Sequence, residues 1–310
     1  MSDSSGTRTN RGSLDIDGRT VRVSNLDKVL YAADGTTKGD VINHYIQVAD
    51  VILPLIADRP ATRKRWPDGV DSQSFFEKNV PRGTPIWIRA VTLDSPGSSK
   101  ERDTVTYPVL EDLAALVWAG NLAALELHVP QWRVGPRGGV RNPDRLVIDL
   151  DPGAPAGLAE CVEAARAIRE RLADDGLDAV PVTSGSKGLQ LYAPISARQS
   201  GDVVRDYAHR LAKALERDLP DLVVSRMAKA LRPGKVLLDW SQNNPAKTTI
   251  APYSLRGRER ATVAAPRTWD ELSDPGSVQQ VHHSELSGRL ESLGDPAHTL
   301  RGPGPTVPTR

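Results

Sequence analysis

The sequence predicts an α/β or α+β fold in which helices cover a mixed β-sheet. Two observations carry this. From about residue 126 onward, apolar residues recur alternately at a period of two and at helical spacing, so strands and helices alternate along the chain. In addition, 310 residues with 39% hydrophobic and 25% charged side chains have the composition of an average soluble protein. That length supports one large domain or two tightly packed ones.

In chain order, residues 1–18 are rich in Ser, Gly, Asp and Thr and are expected to be disordered, as is the tail RGPGPTVPTR at 301–310. A single domain is expected over 19–300. A short strand, Thr20–Val23, leads to the cap residues Ser24 and Asn25. Val41, Ile42, Tyr45, Val48, Ala49 and Ile52 then recur at helical spacing. An extended basic segment, RPATRKRW, precedes FFEK, and Pro96–Asp103 reads as an exposed loop. A helix from Asp112 to about Ala124 ends an N-terminal half of about 19–125. The half at about 126–266 runs as strand ALELHV, strand RLVIDLD, helix Ala156–Asp175, strands AVPVTSG and LQLYAP, helix Asp202–Glu216 and strand KVLLDW. Residues 267–300 read as a helical C-terminal region.

Several classes of function are disfavoured. No apolar run approaches the roughly 18–20 residues that span a bilayer, and the N-terminus has no hydrophobic signal region. The expected location is cytoplasmic and nucleoid-associated, away from membranes. Cys161 is the only cysteine, so intrachain disulfides are impossible and a cysteine zinc site is disfavoured. It reads as a small hydrophobe on the inner face of a helix. The net charge of +1 hides an asymmetry: Arg226 to Arg260 holds eight Lys/Arg against two acids, whereas Asp270 to Asp295 holds six acids and one Arg. Local basic surface is what would meet phosphates.

RLVIDLDPG is the centre of the chemistry. In a strand Leu146, Ile148 and Leu150 face one way, and Val147, Asp149 and Asp151 the other. Two carboxylates side by side repel unless a cation neutralises them, and oxygen ligands suit Mg²⁺ or Mn²⁺. Asp151-Pro152-Gly153 also fits an ordinary turn start, but that leaves Asp149 unexplained inside an apolar strand. KVLLDW puts Asp239 at the end of another apolar strand; accepting backbone hydrogen bonds there is the plainer alternative. Three such acids can hold two divalent ions for an in-line displacement, although glycosyltransferases and nucleases also cluster acids.

Phosphate-handling groups narrow the class. TSGSKG supplies Ser184, Ser186, Lys187, two glycines and free backbone N–H groups, a composition that cradles phosphates while also fitting a hairpin turn. It lacks Walker A spacing. Lys247, Thr248, Thr249 and Arg256 follow the third acid, and His128 could donate to a phosphate or be structural. In the N-terminal half Lys28 and Lys38 flank a turn, followed by Arg63, Lys64 and Arg65. Phe75 and Phe76 are the only phenylalanines; a strand must turn one of them outward, as a stacking platform for unpaired bases unless both rings are buried at a bend. Trp66 and Trp132 beside arginines read as packing residues.

VSNLDKVLY, TTKGD, RPATRKRWPDGV, FFEK, LELHVPQW, LVIDLDPG, PVTSGSKGLQLY, GKVLLDWSQNN and KTTIAPYSLRGR together resemble the polymerase domain of bacterial ligase D, of the archaeo-eukaryotic primase superfamily. The resemblance runs in order from about Val21 to Pro266. It implies a primase-type, RRM-like catalytic core, with Asp149, Asp151 and Asp239 as catalytic metal ligands for two ions, Mn²⁺ or Mg²⁺. It implies that His128, Ser184, Lys247 and Arg256 surround the incoming nucleoside triphosphate, with ribonucleotides preferred. Asn25, Lys28 and Lys38 match a pocket for the 5′-phosphate of gapped or broken DNA, and Phe75 and Phe76 a pair that stacks on the template. The Pro96–Asp103 loop and the turn with Arg232 match loops that contact DNA ends. One departure stands out: the second motif generally reads GLH-L-Y, and Gln190 replaces its histidine, which puts triphosphate affinity in doubt.

The expected function is therefore a template-dependent nucleotidyltransferase that fills short gaps or processes break ends in non-homologous end joining or excision repair. The Ku end-binding protein and a DNA ligase are candidate partners. A metal-dependent nuclease and a catalytically weak end-binding module are the alternatives. No ligase signature or nuclease module lies within the 310 residues, which fits an excised domain or a stand-alone relative.

Overall fold

Alternation in RLVIDLDP builds the strand Arg145–Pro152, the centre of a six-stranded sheet in a computed structural model that describes residues 11–94 and 103–309. The sheet order is Val223–Val224, Val236–Asp239, Arg145–Pro152, Leu189–Pro194, Val180–Thr183, Ala265–Pro266. All neighbours are antiparallel except the first two, which are parallel, so the sheet is mixed. Leu146, Ile148 and Leu150, with Leu189 and Leu191 beside them, bury one face under the helices Leu158–Asp174 and Gly201–Asp218. Cys161 is fully buried there, as a small hydrophobe.

The opposite face belongs to a second core. Val147, Val182 and Tyr192 join side chains from the helices Lys38–Gln47, Ala49–Ile56 and Leu113–Asn121. The first of these helices starts at a capping box of Thr37 and Asp40, and the third at Asp112, whose carboxylate accepts from Ala115 N–H. A four-stranded sheet lies in the same core, ordered Thr249–Ile250, Ala124–Val129, Thr62–Arg65, Phe75–Glu77. Its members come from both sides of the boundary at about 125, so the two expected halves are interleaved. Strand pairing across that boundary satisfies the Ala124–Val129 backbone on both edges.

Two expectations about the chain's ends are corrected. Residues 11–16 form a strand paired with Arg19–Ser24. Asp17 and Gly18, at φ 51° and 73°, make the tight turn that suits this hairpin. Side chains of the first strand are mostly exposed, so no apolar alternation announced it. The tail is also ordered through Thr309: Val307 is buried, and its N–H and carbonyl both bond the Gln199 amide at 2.8 Å. Residues 267–300 contain one short α-helix, Leu286–Leu293, amid 3₁₀ turns and the strand Val281–His282. Among the described residues no helix is long and apolar enough to cross a membrane.

The central strand has a gap in its ladder. On this edge of the central strand Val236–Asp239 reaches only Asp149–Pro152, leaving Val147 without a strand partner there. Asn243 fills the place of that strand: its Oδ1 accepts from Val147 N–H at 3.0 Å, and its Nδ2 donates to the Val147 carbonyl at 2.6 Å. Asn243→Ala would strand both buried groups. We expect a loss of about 2 kcal/mol or more in urea unfolding, since each unsatisfied group costs about 1–3 kcal/mol; a loss under about 0.5 kcal/mol would contradict this role.

Candidate active site

Strand register brings the acids together. Asp149 lies directly opposite Asp239 on one neighbour and Gln190 on the other, and Asp151 follows two residues on along the same face. All three acids are partly buried. The Asp149 carboxyl is pushed up, first by burial and then by the charges of Asp151 and Asp239, against a hydrogen bond from Gln190. Asp151 is likewise raised by burial and Asp239, while Lys187, Arg232 and Arg256 pull it down. Three expected site cations thus oppose the rise at Asp151.

Among the described residues no set of three His, Cys, Asp or Glu groups converges as a finished metal cage. The acids are instead turned toward local donors. Asp149 accepts from Gln190 Nε2 at 3.0 Å and Gln242 Nε2 at 3.4 Å. Asp239 accepts from Ser241 N–H at 3.0 Å, from the Ser241 hydroxyl and from Gln242 Nε2 at 3.1 Å. Lys247 Nζ stands 3.7 Å from Asp239 and donates to Ser241 Oγ. The donor set nonetheless fits hard divalent ions. It consists of carboxylate oxygens on adjacent rigid strands, with negative charge that its neighbours only partly offset.

The Thr183–Gly188 turn is a more closed cradle than its sequence implies. Ser184 Oγ accepts from the N–H groups of Ser186 and Gly188, both at 3.2 Å, and Gly185 N–H donates to Gln280 Oε1 at 2.7 Å. Those amides are therefore already engaged, because a tight turn satisfies its own backbone. Lys187 is the cation of this turn, and its charge lowers Asp151. Gly185 takes a φ of 65°, and a Cβ there would collide with Arg256 Cγ and the Val263 carbonyl.

Glu126 organises the adjoining wall. On the strand Ala124–Val129 it shares a face with His128, whose Nε2 lies 2.8 Å from its carboxylate. Arg256 Nε is 3.2 Å from the same carboxylate, and Gly257 N–H donates to it at 3.1 Å. Burial would raise Glu126, but His128 and Arg256 outweigh it and hold the carboxyl down at about 2. His128 also meets the Phe76 ring edge-on, at 5.6 Å between centroids. Phe75 and Phe76 are 43% and 56% exposed, so both rings face outward; Phe75–Glu77 is an edge strand, and neither ring has a sheet to cover it. Arg65 lies 5.2 Å over Phe75, and Lys64 5.3 Å over Phe76. Trp66 is buried, whereas Trp132 is only partly so.

A separate cluster of cations forms where Asn25, in the left-handed conformation at φ 53°, turns the chain. Lys28 N–H bonds the Asn25 carbonyl at 3.1 Å and Lys38 N–H the Lys28 carbonyl at 2.8 Å, which fixes the three residues together. Lys28 pairs with exposed Asp68 at 2.7 Å. Lys38 is only 7% exposed and has Ser24 Oγ at 3.5 Å. Its ammonium is lowered to about 8, by burial first and then by Lys28 and Arg65. Arg232 caps a 3₁₀ turn beside Gly153, next to the acids. The Pro96–Asp103 loop lies outside the described residues except for Asp103.

Glu126, Gln242, Asn243 and Gln280 escaped the sequence reading. Glu126 alone had a readable signal, an acid two residues before His128 in an apolar strand.

Comparison with known proteins places this arrangement. The family model described as "LigD, primase-polymerase domain" matches residues 37–297. The chain belongs to the LigD primase-polymerase family. It is 49% identical over 292 residues to the multifunctional non-homologous end joining protein LigD of Mycobacterium bovis, covering 93% of this chain and 38% of that protein. Against the bifunctional LigD of Bacillus subtilis it is 34% identical over 277 residues, 89% of this chain and 43% of the relative. The chain thus spans less than half the length of these LigD relatives. It is similar in structure to the polymerase domain of Mycobacterium tuberculosis ligase D, solved in complex with DNA, with a TM-score of 0.85 and 49% identity over 91% of this chain and 98% of that one.

In this LigD family member Lys38 carries a testable cost. Its folded pKa lies below the ordinary 10.5, so the charged form is disfavoured by folding. At pH 7 Lys38 is charged folded and unfolded, and the penalty is fully present; it is relieved as pH rises above about 8. Lys38→Met should therefore raise stability at pH 7 by on the order of 1–3 kcal/mol, with the gain shrinking toward pH 10. A melting temperature lowered at pH 7 would contradict this cost of burying the charge.

Proposed function

We propose that this chain is a template-dependent nucleotidyltransferase, a primase-polymerase that fills short gaps or extends break ends in DNA repair. The observation that carries the reading is the direct cross-strand pairing of Asp149 with Asp239, beside Asp151, with Lys187, Arg232 and Arg256 close by. Membership of the LigD primase-polymerase family supports it.

Asp149, Asp151 and Asp239 would hold two Mn²⁺ or Mg²⁺ ions. When bound, such ions activate a 3′-hydroxyl and stabilise the departing pyrophosphate. The protein's own part is positioning. Lys187, Lys247 and Arg256 supply positive charge for the triphosphate, with Ser184 and Ser186 shaping the turn beside it. Glu126 orients Arg256 and His128. Phe75 and Phe76 offer two exposed rings for an unpaired template base, and Lys64 and Arg65 add charge for its backbone. Asn25 sets the turn that joins Lys28 to Lys38, and these two cations take the downstream 5′-phosphate. Ribonucleotide preference, and action alongside a Ku-type end-binding protein and a ligase in end joining, extend the same reading.

Gap filling with labelled ribo- and deoxynucleoside triphosphates tests the chemistry. The wild type should extend the primer with Mn²⁺ or Mg²⁺, stop with chelator and need no zinc. Asp149→Ala, Asp151→Ala and Asp239→Ala should each lose addition by a hundredfold or more, on the order of a metal ligand's worth, while still binding DNA through phosphate contacts. Shortened strands would indicate a nuclease, and binding without either product an end-binding module.

Substrate recognition has its own pH signature. Gapped DNA should bind more tightly with a 5′-phosphate than with a 5′-hydroxyl. Lys38 must be protonated to hold the phosphate, so this preference should fade as pH rises above about 8. Lys28→Ala and Lys38→Ala should each erase it. Equal anisotropy titrations for the two DNAs at pH 7 would remove the pocket.

A further inference from the structure

Gln190 stands where the family motif generally has histidine, a position expected to face the triphosphate. Its side chain is engaged elsewhere at both ends. Nε2 donates to Asp149 Oδ1 at 3.0 Å, directly across the strand pair, and the Tyr192 hydroxyl lies 2.8 Å from Oε1. Gln190 is 5% exposed and Tyr192 1%, so water does not compete for these bonds. The two residues lie two apart on one strand and share the face that carries the acids. The Tyr192 ring is fixed in turn: its hydroxyl is 2.7 Å from the Ile250 carbonyl, and the Arg145 guanidinium lies 5.8 Å from its centroid.

A carboxamide has two ends of nearly the same shape but opposite polarity. Beside Asp149 only the NH₂ end is favourable, because the oxygen end would face a carboxylate. Tyr192 has a single hydroxyl proton for two acceptors, Oε1 and the Ile250 carbonyl, and when it turns to Oε1 it favours the same orientation. One oxygen of Asp149 is thereby occupied, while Oδ2 has only the long contact from Gln242, at 3.4 Å. Glutamine also brings no charge to oppose a cation, as a protonated histidine would.

We propose that Gln190, oriented by Tyr192, is a positioning residue that fixes the Asp149 carboxylate for metal binding, and that it governs metal affinity instead of triphosphate affinity. This rests on the reading of the three acids as metal ligands.

Mn²⁺ binding without nucleotide, followed by the electron paramagnetic resonance of free Mn²⁺, tests it on the full chain. Gln190→Met keeps the length and apolar bulk but removes the amide, and should weaken Mn²⁺ binding by about fivefold to tenfold. Tyr192→Phe should weaken it by a smaller factor. The double variant should bind no worse than Gln190→Met, because Tyr192 acts through Gln190. At saturating Mn²⁺ the KM for nucleotide should stay within about twofold of wild type. Unchanged Mn²⁺ affinity in Gln190→Met would overturn the proposal, as would a raised nucleotide KM at saturating Mn²⁺. Additive losses in the double variant would overturn the relay, leaving Tyr192 to act through Ile250. Melting temperature and the 5′-phosphate preference report folding, and both should stay near wild type. If Asp149→Ala itself binds Mn²⁺ normally, the ligand assignment fails first, which separates the two failures.

Discussion

Everything at the acidic centre depends on the register of one strand. Slipping Arg145–Pro152 by a single residue against its neighbours would turn Leu146, Ile148 and Leu150 out of the core and bury the two aspartates in their place. The apolar face thus holds the acids in position: desolvating those three aliphatic side chains selects the pairing that sets Asp149 opposite Asp239. Asn243 reinforces it, since its Oδ1 accepts from Val147 N–H while its Nδ2 donates to the Val147 carbonyl, which ties both to that height. A site built this way is stiff along the strands, and its freedom lies in the carboxylate rotamers.

Charge is arranged around the acids in a similar order. Glu126 is buried, ionised and held by two partners, so Arg256 is drawn in beside it instead of folding directly onto Asp149 or Asp151. Gly185 lets the Ser184 turn pass close enough to touch the Arg256 side chain. Lys247 is tied through Ser241, at the rim. The nearby cations consequently do not cancel the mutual repulsion of the acids, whose carboxyls stay raised by burial and by one another, a cost that a divalent ion would relieve.

The sheet and its acids were legible because they combine two strong signals, a period-two apolar pattern and an aspartate that breaks it. Asp149, Asp151 and Asp239 each had that contrast. Asn243 and Gln242 did not, since polar residues in the WSQNN turn look like solvent-facing loop until the neighbouring strand is seen to fall short. Glu126 was readable in principle from its spacing to His128. The hairpin at Asp17-Gly18 had a turn signal but exposed strands, and the tail depends on one glutamine, Gln199, more than a hundred residues away. Such contacts leave no local periodicity. The resemblance named the site residues, while the partners of Gln190, Asp149 and Tyr192, came only from the register of the strands.

The Phe75–Glu77 edge has one more implication. It is a free sheet margin only three residues long that bears two exposed aromatic rings, the kind of border at which two copies of a chain could pair. Lys64 and Arg65 sit directly against those rings. Arg65 is paired with Glu77 at 2.9 Å, so Lys64 would supply most of the charge that keeps a second copy away. Salt that shortens the Debye length to about 3 Å near 1 M would screen that repulsion while strengthening apolar contact. Colloidal behaviour would thus turn on the same side chains that are proposed to meet the template: screening the Lys64 charge would leave this border open to self-association.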